Sequence, residues 1–206
     1  MWKNSSASPK NPQKCWRKHK KPFFHPLPLT IMAQTFSNTD DDFDGLEEFN
    51  TLQYKYLVFR LGSEEYALAA RHVSEIVGMQ YITIVPNLDR HIRGVINLRG
   101  KVIPVIDSRL RFGLEEREYD ERTCIVLAQE EEYGMTGLIV DAVVEVADIH
   151  EEQISPPPKT IKGTRSRYIL GMAKHADKVR MILDLRSILG DEHIIQFQSI
   201  EESVTA

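Results

Sequence analysis

The strongest constraint on how this chain folds is that one 22-residue unit occurs twice. Residues 92–113, IRGVINLRGKVIPVIDSRLRFG, align without a gap on residues 169–190, ILGMAKHADKVRMILDLRSILG, at a shift of 77 positions. Seven positions are identical: Ile92/Ile169, Gly94/Gly171, Lys101/Lys178, Val102/Val179, Asp107/Asp184, Arg109/Arg186 and Gly113/Gly190. Unrelated sequences of ordinary composition share on the order of one or two residues over such a length. Repetition of this kind says that one folding unit was used twice. Fainter likeness extends upstream, where Tyr56–Tyr66 resembles Thr123–Tyr133 and Val73–Ile76 is echoed by Val143–Val146. The copies run from about Tyr54 to Gly113 and from Arg122 to Gly190, with the polar run Leu114–Glu121 between them.

At 206 residues, 42% hydrophobic and 27% charged, the chain has the composition of an ordinary globular protein with a real core. No apolar run approaches the ~20 residues needed to cross a bilayer, so no membrane insertion is expected. Two cysteines cannot staple two halves, and Cys124, inside an apolar run, reads as a buried free thiol. A cytoplasmic location follows as the expectation. The net charge of −4 conceals an asymmetry: residues 1–31 carry seven basic side chains and no acidic one, leaving −11 for the rest. That stretch, with Trp16, Phe23 and Phe24 interleaved, reads as a basic flexible arm or as a mis-assigned start upstream of Met32. Residues 32–53 read as an acidic linker and 193–206 as a C-terminal tail.

Within Tyr54–Gly190 the apolar runs are short, β-branched and separated by turn residues. Tyr56–Leu61, Ile82–Val85, Val102–Ile106, Thr123–Ala128, Met135–Val140 and Val179–Leu183 are predicted strands. Short helical turns are expected at Ala69–Val77, Ser108–Phe112 and Arg186–Leu189, and bends or bulges at Gly94, Gly100, Gly134, Gly137 and Gly171. No strand leads into a long amphipathic helix, which excludes a parallel βαβ sheet. Two small antiparallel barrels related by a pseudo-twofold fit best, each marginal alone and sharing an apolar seam.

Catalytic and metal-binding constellations are nearly absent. Asp107 and Asp184 follow equivalent strands and invite comparison with a carboxylate dyad. Arg109 and Arg186 stand where close approach of the two turns would need a small residue, so the two aspartates are expected to cap short helices. His150-Glu-Glu lacks the second histidine of a zinc helix, since Ile154 occupies that position. No enzyme activity, metal or cofactor is expected. What remains is a binding surface: Asn97-Leu98-Arg99-Gly100 joins two apolar runs at a bend and sets an apolar–Arg pair on a rim.

The segments Tyr56–Tyr66, Val73–Ile76, Ile84–Asn87, Ile92–Asp107 and Gly137–Asp141 resemble the CheW family of chemotaxis coupling proteins, in order, over about residues 54–192. The central motif, G-x-x-N-L-R-G-x-x-x-P-x-x-D, is long and specific. The resemblance implies a mostly β fold of two SH3-like five-stranded barrels about a pseudo-twofold, with short helical turns. It implies a non-enzymatic adaptor joining chemoreceptor hairpin tips to the regulatory domain of a chemotaxis histidine kinase, recruited to membrane-associated arrays, with other CheW-like proteins as further partners in rings. By motif, Val73, Glu75, Gly94, Arg99 and Val143 correspond to receptor contacts, and Ile76, Leu98, Val102 and Pro104 to the kinase-facing part. Arg99 is expected to pair with Glu75. Ala142 stands where the family often has Gly. The alternative is an SH3-like nucleic-acid-binding barrel using the basic arm; the acidic body argues that no nucleic acid is bound.

Overall fold

The computed structural model describes residues 52–158, 164–175 and 178–190. The basic stretch, nearly all of the acidic linker, the tail and most of the loop around Lys162 therefore lie outside the described residues. The strands are β1 (Lys55–Leu61), β2 (Glu64–Ala69), β3 (Val73–Gly78), β4 (Ile92–Leu98), β5 (Lys101–Asp107), β6 (Cys124–Glu130), β7 (Gly134–Val140), β8 (Ala142–Asp148), β9 (Ile154–Ser155), β10 (Ile169–His175) and β11 (Lys178–Leu183). Helices α1 (Ser108–Arg111) and α2 (Leu185–Leu189) follow β5 and β11. Both start as expected: an Asp107 carboxylate oxygen accepts from the amides of Arg109 at 2.9 Å and Leu110 at 3.3 Å, and Asp184 accepts from that of Arg186 at 3.2 Å.

The strands form two sheets, ordered β8-β1-β2-β11-β10-β9 and β3-β6-β7-β5-β4. Replacing each strand of the first copy by its counterpart in the second converts one order into the other, apart from the short β9. The fold is thus mostly β, in two SH3-like subdomains exchanged by a pseudo-twofold. One expectation is corrected: neither copy closes on itself. Each sends its first two strands into one sheet and its remaining strands into the other. The chain crosses between sheets at Ala70–His72 after β2 and at the single residue Asp141 after β7. A second correction follows, because the β2/β11 and β5/β7 pairs that join the copies are parallel.

Strand exchange also explains the continuous apolar runs. Leu57, Phe59 and Leu61 of β1, and Cys124, Val126 and Ala128 of β6, face a seam shared by both sheets. The intervening Val58 faces the interior of the six-stranded sheet, and Ile125 and Leu127 that of the five-stranded one. Such strands are buried on both faces and cannot show period-two alternation. An aromatic row runs through the seam, with ring centroids 6.1 Å apart for Phe59–Tyr66, 5.3 Å for Tyr66–Phe112 and 5.4 Å for Phe112–Tyr168. Cys124 is buried in this seam, and burial pushes its thiol up to about 11.

Three local expectations fail for tertiary reasons. Only Ala70–His72 of the expected helical turn is helical, because Val73–Gly78 pairs along β6. Ile82–Val85 forms no strand; Thr83 alone bridges to Val95. Gly137 is not a bend either: it sits mid-strand, where an added Cβ would lie 2.8 Å from Ile125 Cγ2.

The repeated glycines Gly94 and Gly171 do sit at bulges, where Arg93 and Leu170 are the extra residues. At Gly94, φ is +132° and an added Cβ would stand 2.1 Å from the Thr83 carbonyl oxygen. Gly94→Ala should therefore lower the unfolding free energy by about 3 kcal/mol or more in chemical denaturation. Gly113→Ala, at φ +70° with open space around it, should cost only about 1 kcal/mol.

The two interiors differ in one respect. Ile103 and Met135 line the five-stranded interior, and the pseudo-twofold places Arg180 and Glu65 at the corresponding positions of the other. Arg180 is 3% exposed and bonds Glu65 and Glu145, while Lys178 holds the second Glu65 oxygen. Lys178 foremost, with Arg180, keeps the Glu65 carboxyl below the usual range against the cost of burial. A buried pair of this kind contributes little beyond what an apolar pair would. Replacing both, Glu65→Met with Arg180→Ile, should leave the melting temperature unchanged or raised, whereas Glu65→Met alone should lower it by leaving the buried guanidinium with Glu145 as its one carboxylate partner.

Candidate functional site

The five-stranded sheet has β3 and β4 as its edges, and Glu75 and Arg99 meet where those edges approach. Leu98 pairs with Lys101, so Arg99 and Gly100 alone form the β4–β5 turn. Their φ values are +53° and +86°, as a two-residue hairpin turn matched to strand twist requires. Glycine accepts that geometry freely, and asparagine more readily than arginine does. Holding Arg99 there costs on the order of 1 kcal/mol, partly offset by the Gly100 amide donating to the Asn97 Oδ1 at 3.0 Å.

From this turn the guanidinium reaches β3 and forms the expected pair. Arg99 Nη1 and Nη2 donate to the two Glu75 carboxylate oxygens at 3.3 and 3.0 Å. The fork joins the two edge strands of the sheet, which no backbone pair does at that end. Arg99 remains 77% exposed, so the contact leaves a cation and its donors on the surface.

Glu75 owes its direction to a bulge at Ser74, between Val73 paired with Ala128 and Glu75 paired with Leu127. Strand β8, an edge of the six-stranded sheet, repeats this device at Val144, between Val143 paired with Phe59 and Glu145 paired with Val58. Val73 and Val143 are therefore equivalent residues, and both pack partly against the seam. Ala142 enters β8 opposite Arg60 without a break in the strand. Ile76 and Val102 are exposed apolar side chains at 38% and 44%, and Leu98 packs against the five-stranded interior. Gly94 and Pro104 are buried. The structure brings Arg99 and Glu75 together and leaves Ile76 and Val102 open, but Gly94 and Pro104 present no side-chain surface and act through the shape of β4 and β5.

A second cluster of polar groups was not foreseen. Asp141, at the crossing between sheets, accepts from Arg109 Nη1 at 2.6 Å and from the Gly62 amide at 2.7 Å. Arg109 Nε in turn holds the Glu115 carbonyl at 2.9 Å. Tyr119 donates to the second Asp107 oxygen at 2.9 Å, and Arg93 lies over its ring while binding Glu116. Arg90 first, then Arg93, holds the Glu116 carboxyl below the usual range. The identity Arg109/Arg186 was the available signal, but no spacing rule assigns such an arginine a partner. Among the described residues no group of His, Cys, Asp or Glu could hold a metal, and His150 caps a single helical turn at Glu151–Gln153. No helix among them is long and apolar enough to cross a membrane.

Comparison with known proteins gives a consistent result. A family model described as "CheW-like domain" matches residues 55–193. The chain is 30% identical over 155 residues to the chemotaxis protein CheW of Klebsiella aerogenes, covering 74% of this chain and 92% of that one. It is 34% identical over 138 residues to the chemotaxis protein CheW of Bacillus subtilis, covering 67% and 88%. Among solved structures it is similar to the scaffolding protein TtCheW from Thermoanaerobacter tengcongensis, with a TM-score of 0.62 and 38% identity over 68% of this chain and 94% of that one. The nucleic-acid reading finds no support among these relatives.

The exposed Arg99–Glu75 fork should contribute little to stability, because exposed ion pairs are worth about 0–1 kcal/mol. Arg99→Asn, which suits the turn better, should match or exceed the parent in melting temperature. A drop of several degrees would instead make the fork a structural clasp.

Proposed function

This chain belongs to the CheW-like domain family, and on that premise we propose that it is a non-enzymatic adaptor. It couples the helical-hairpin tips of chemoreceptors to the regulatory domain of a chemotaxis histidine kinase. The observation that carries the reading is the placement of Arg99: an arginine held at positive φ, forked to Glu75 and still exposed. Strain of this kind at a surface turn marks a side chain positioned for contact rather than for packing. The names of its relatives, chemotaxis proteins and a scaffolding protein, support the same reading.

On this reading a receptor hairpin lays the apolar face of a helix against Val73 and Val143 along the seam. Its polar flank meets the Arg99–Glu75 rim. Ile76 and Val102 are the exposed apolar residues for the kinase domain, with Leu98 beneath. A kinase domain of similar fold docks barrel to barrel in a quasi-isologous contact, and other CheW-like chains dock the same way in rings. Each contact is small and labile, and repetition in an array at the cytoplasmic face of the membrane gives strength through multivalency. Control of the kinase then needs a coupling of only ~1–3 kcal/mol between receptor state and kinase state.

Arg99→Glu should abolish capture of the protein by a receptor signalling hairpin while kinase-domain binding and the melting temperature stay near those of the parent. Undiminished receptor capture by a folded variant would refute the assignment. A chain starting at Met32 should bind both partners as the full chain does, so a large loss on removing residues 1–31 would give the basic stretch a role the adaptor reading lacks.

A further inference from the structure

The fork between Arg99 and Glu75 leaves much of its hydrogen-bonding capacity unused. Arg99 Nη1 and Nη2 hold the two Glu75 oxygens at 3.3 and 3.0 Å, so the pair closes into a ring with no net charge. A guanidinium has five N–H donors, and this contact takes two of them. Each carboxylate oxygen has two lone pairs, and the contact takes one of each. An edge of the ring therefore offers an N–H donor beside a carboxylate acceptor. Among the described residues neither side chain has a further hydrogen-bond partner. The arginine is 77% exposed and the glutamate 29%, which leaves such an edge within reach of a partner.

We propose that this edge reads a primary carboxamide, the side chain of an asparagine or glutamine on the receptor hairpin. The inference rests on the adaptor reading and names what that partner presents at the rim. A carboxamide carries an acceptor and donors in one plane, so its oxygen takes an Arg99 N–H while its nitrogen donates to Glu75. Charged groups suit one half of the fork and oppose the other. A carboxylate would stand near Glu75 and a cation near Arg99, and like charges brought together in an interface are penalised. A hydroxyl donates and accepts through one atom and cannot span both halves. The amides and carbonyls along a helix flank are bonded within the helix, so a side chain has to supply the contact. Overall charge points the same way, since the chain outside residues 1–31 carries −11 and disfavours an acidic flank at longer range. The second copy uses its glutamate differently: Glu145 is held by the buried Arg180, and Ala176 stands where a shift of 77 puts Arg99.

The experiment measures affinity between the full chain and a receptor signalling hairpin whose exposed Asn, Gln, Asp and Glu residues are changed singly to alanine. Loss of one asparagine or glutamine should weaken binding about tenfold. That loss should vanish in the chain carrying Arg99→Gly, a residue the positive φ of the turn accepts. Glu75→Ala, which leaves the arginine as a bare cation, should also weaken binding. Between about 50 and 300 mM salt the affinity of the parent should change less than about twofold, since the fork carries no net charge. Coupling of Arg99 to an aspartate or glutamate, or tighter binding by the Glu75→Ala chain, would make the site a reader of charge and overturn the proposal. So would a hairpin released by Arg99→Glu with none of its asparagines or glutamines coupled to Arg99. A parent chain that binds no hairpin, or an Arg99→Glu chain that binds as the parent does, would defeat the adaptor reading and this proposal with it.

Discussion

Everything else in this molecule rests on the apolar seam between the two sheets. Because β1, β2, β6 and β7 bury one face there and the other face inside a subdomain, neither sheet exists without strands from both copies. The row Phe59, Tyr66, Phe112 and Tyr168 takes two rings from strands of the first copy, one from the end of its 22-residue unit and one from the residue just before the second unit. Halves of some 60–70 residues are marginal by themselves, and exchange of strands resolves this by removing the option of folding separately.

Around the seam, polar groups hold the crossings. Arg109 fastens the Asp141 crossing, and at the pseudo-equivalent corner Arg186 and His72 share Glu130. The same arginine thus serves both copies with different partners, which is why it persists through the duplication while its partners do not. The repeated glutamates diverge more. Glu75 turns to the exposed Arg99, and Glu145 is taken by the buried Arg180. One copy's glutamate holds an exposed arginine and the other's a buried one, so a symmetric backbone presents an asymmetric surface.

That asymmetry is what makes an adaptor plausible on a duplicated scaffold. The first hairpin tip carries a strained arginine on a rigid two-residue turn, whereas the second reads Lys174-His175-Ala176-Asp177. The identity Val102/Val179 lies at the surface in both copies, at 44% and 49% exposed. Its persistence is explained by an apolar surface that both subdomains keep and not by packing.

The sequence by itself determined the duplication, the β character, the helix-capping role of Asp107 and Asp184, the burial of Cys124 and the pairing of Arg99 with Glu75. Each of these is set by local pattern or by a motif long enough to be specific. It did not determine which strands share a sheet. Pairing across copies depends on contacts far apart in sequence, such as Tyr66 beside Met181, 115 residues on, and Ile106 beside Leu138, 32 residues on, and local periodicity carries no information about them. For the same reason Val73–Gly78, helical in local appearance, became an edge strand once β6 lay beside it. Only the tertiary structure decided that Gly94 is pinned by Thr83, that Arg180 is buried where Ile103 would serve, and that Arg186 takes Glu130 where Arg109 takes Asp141.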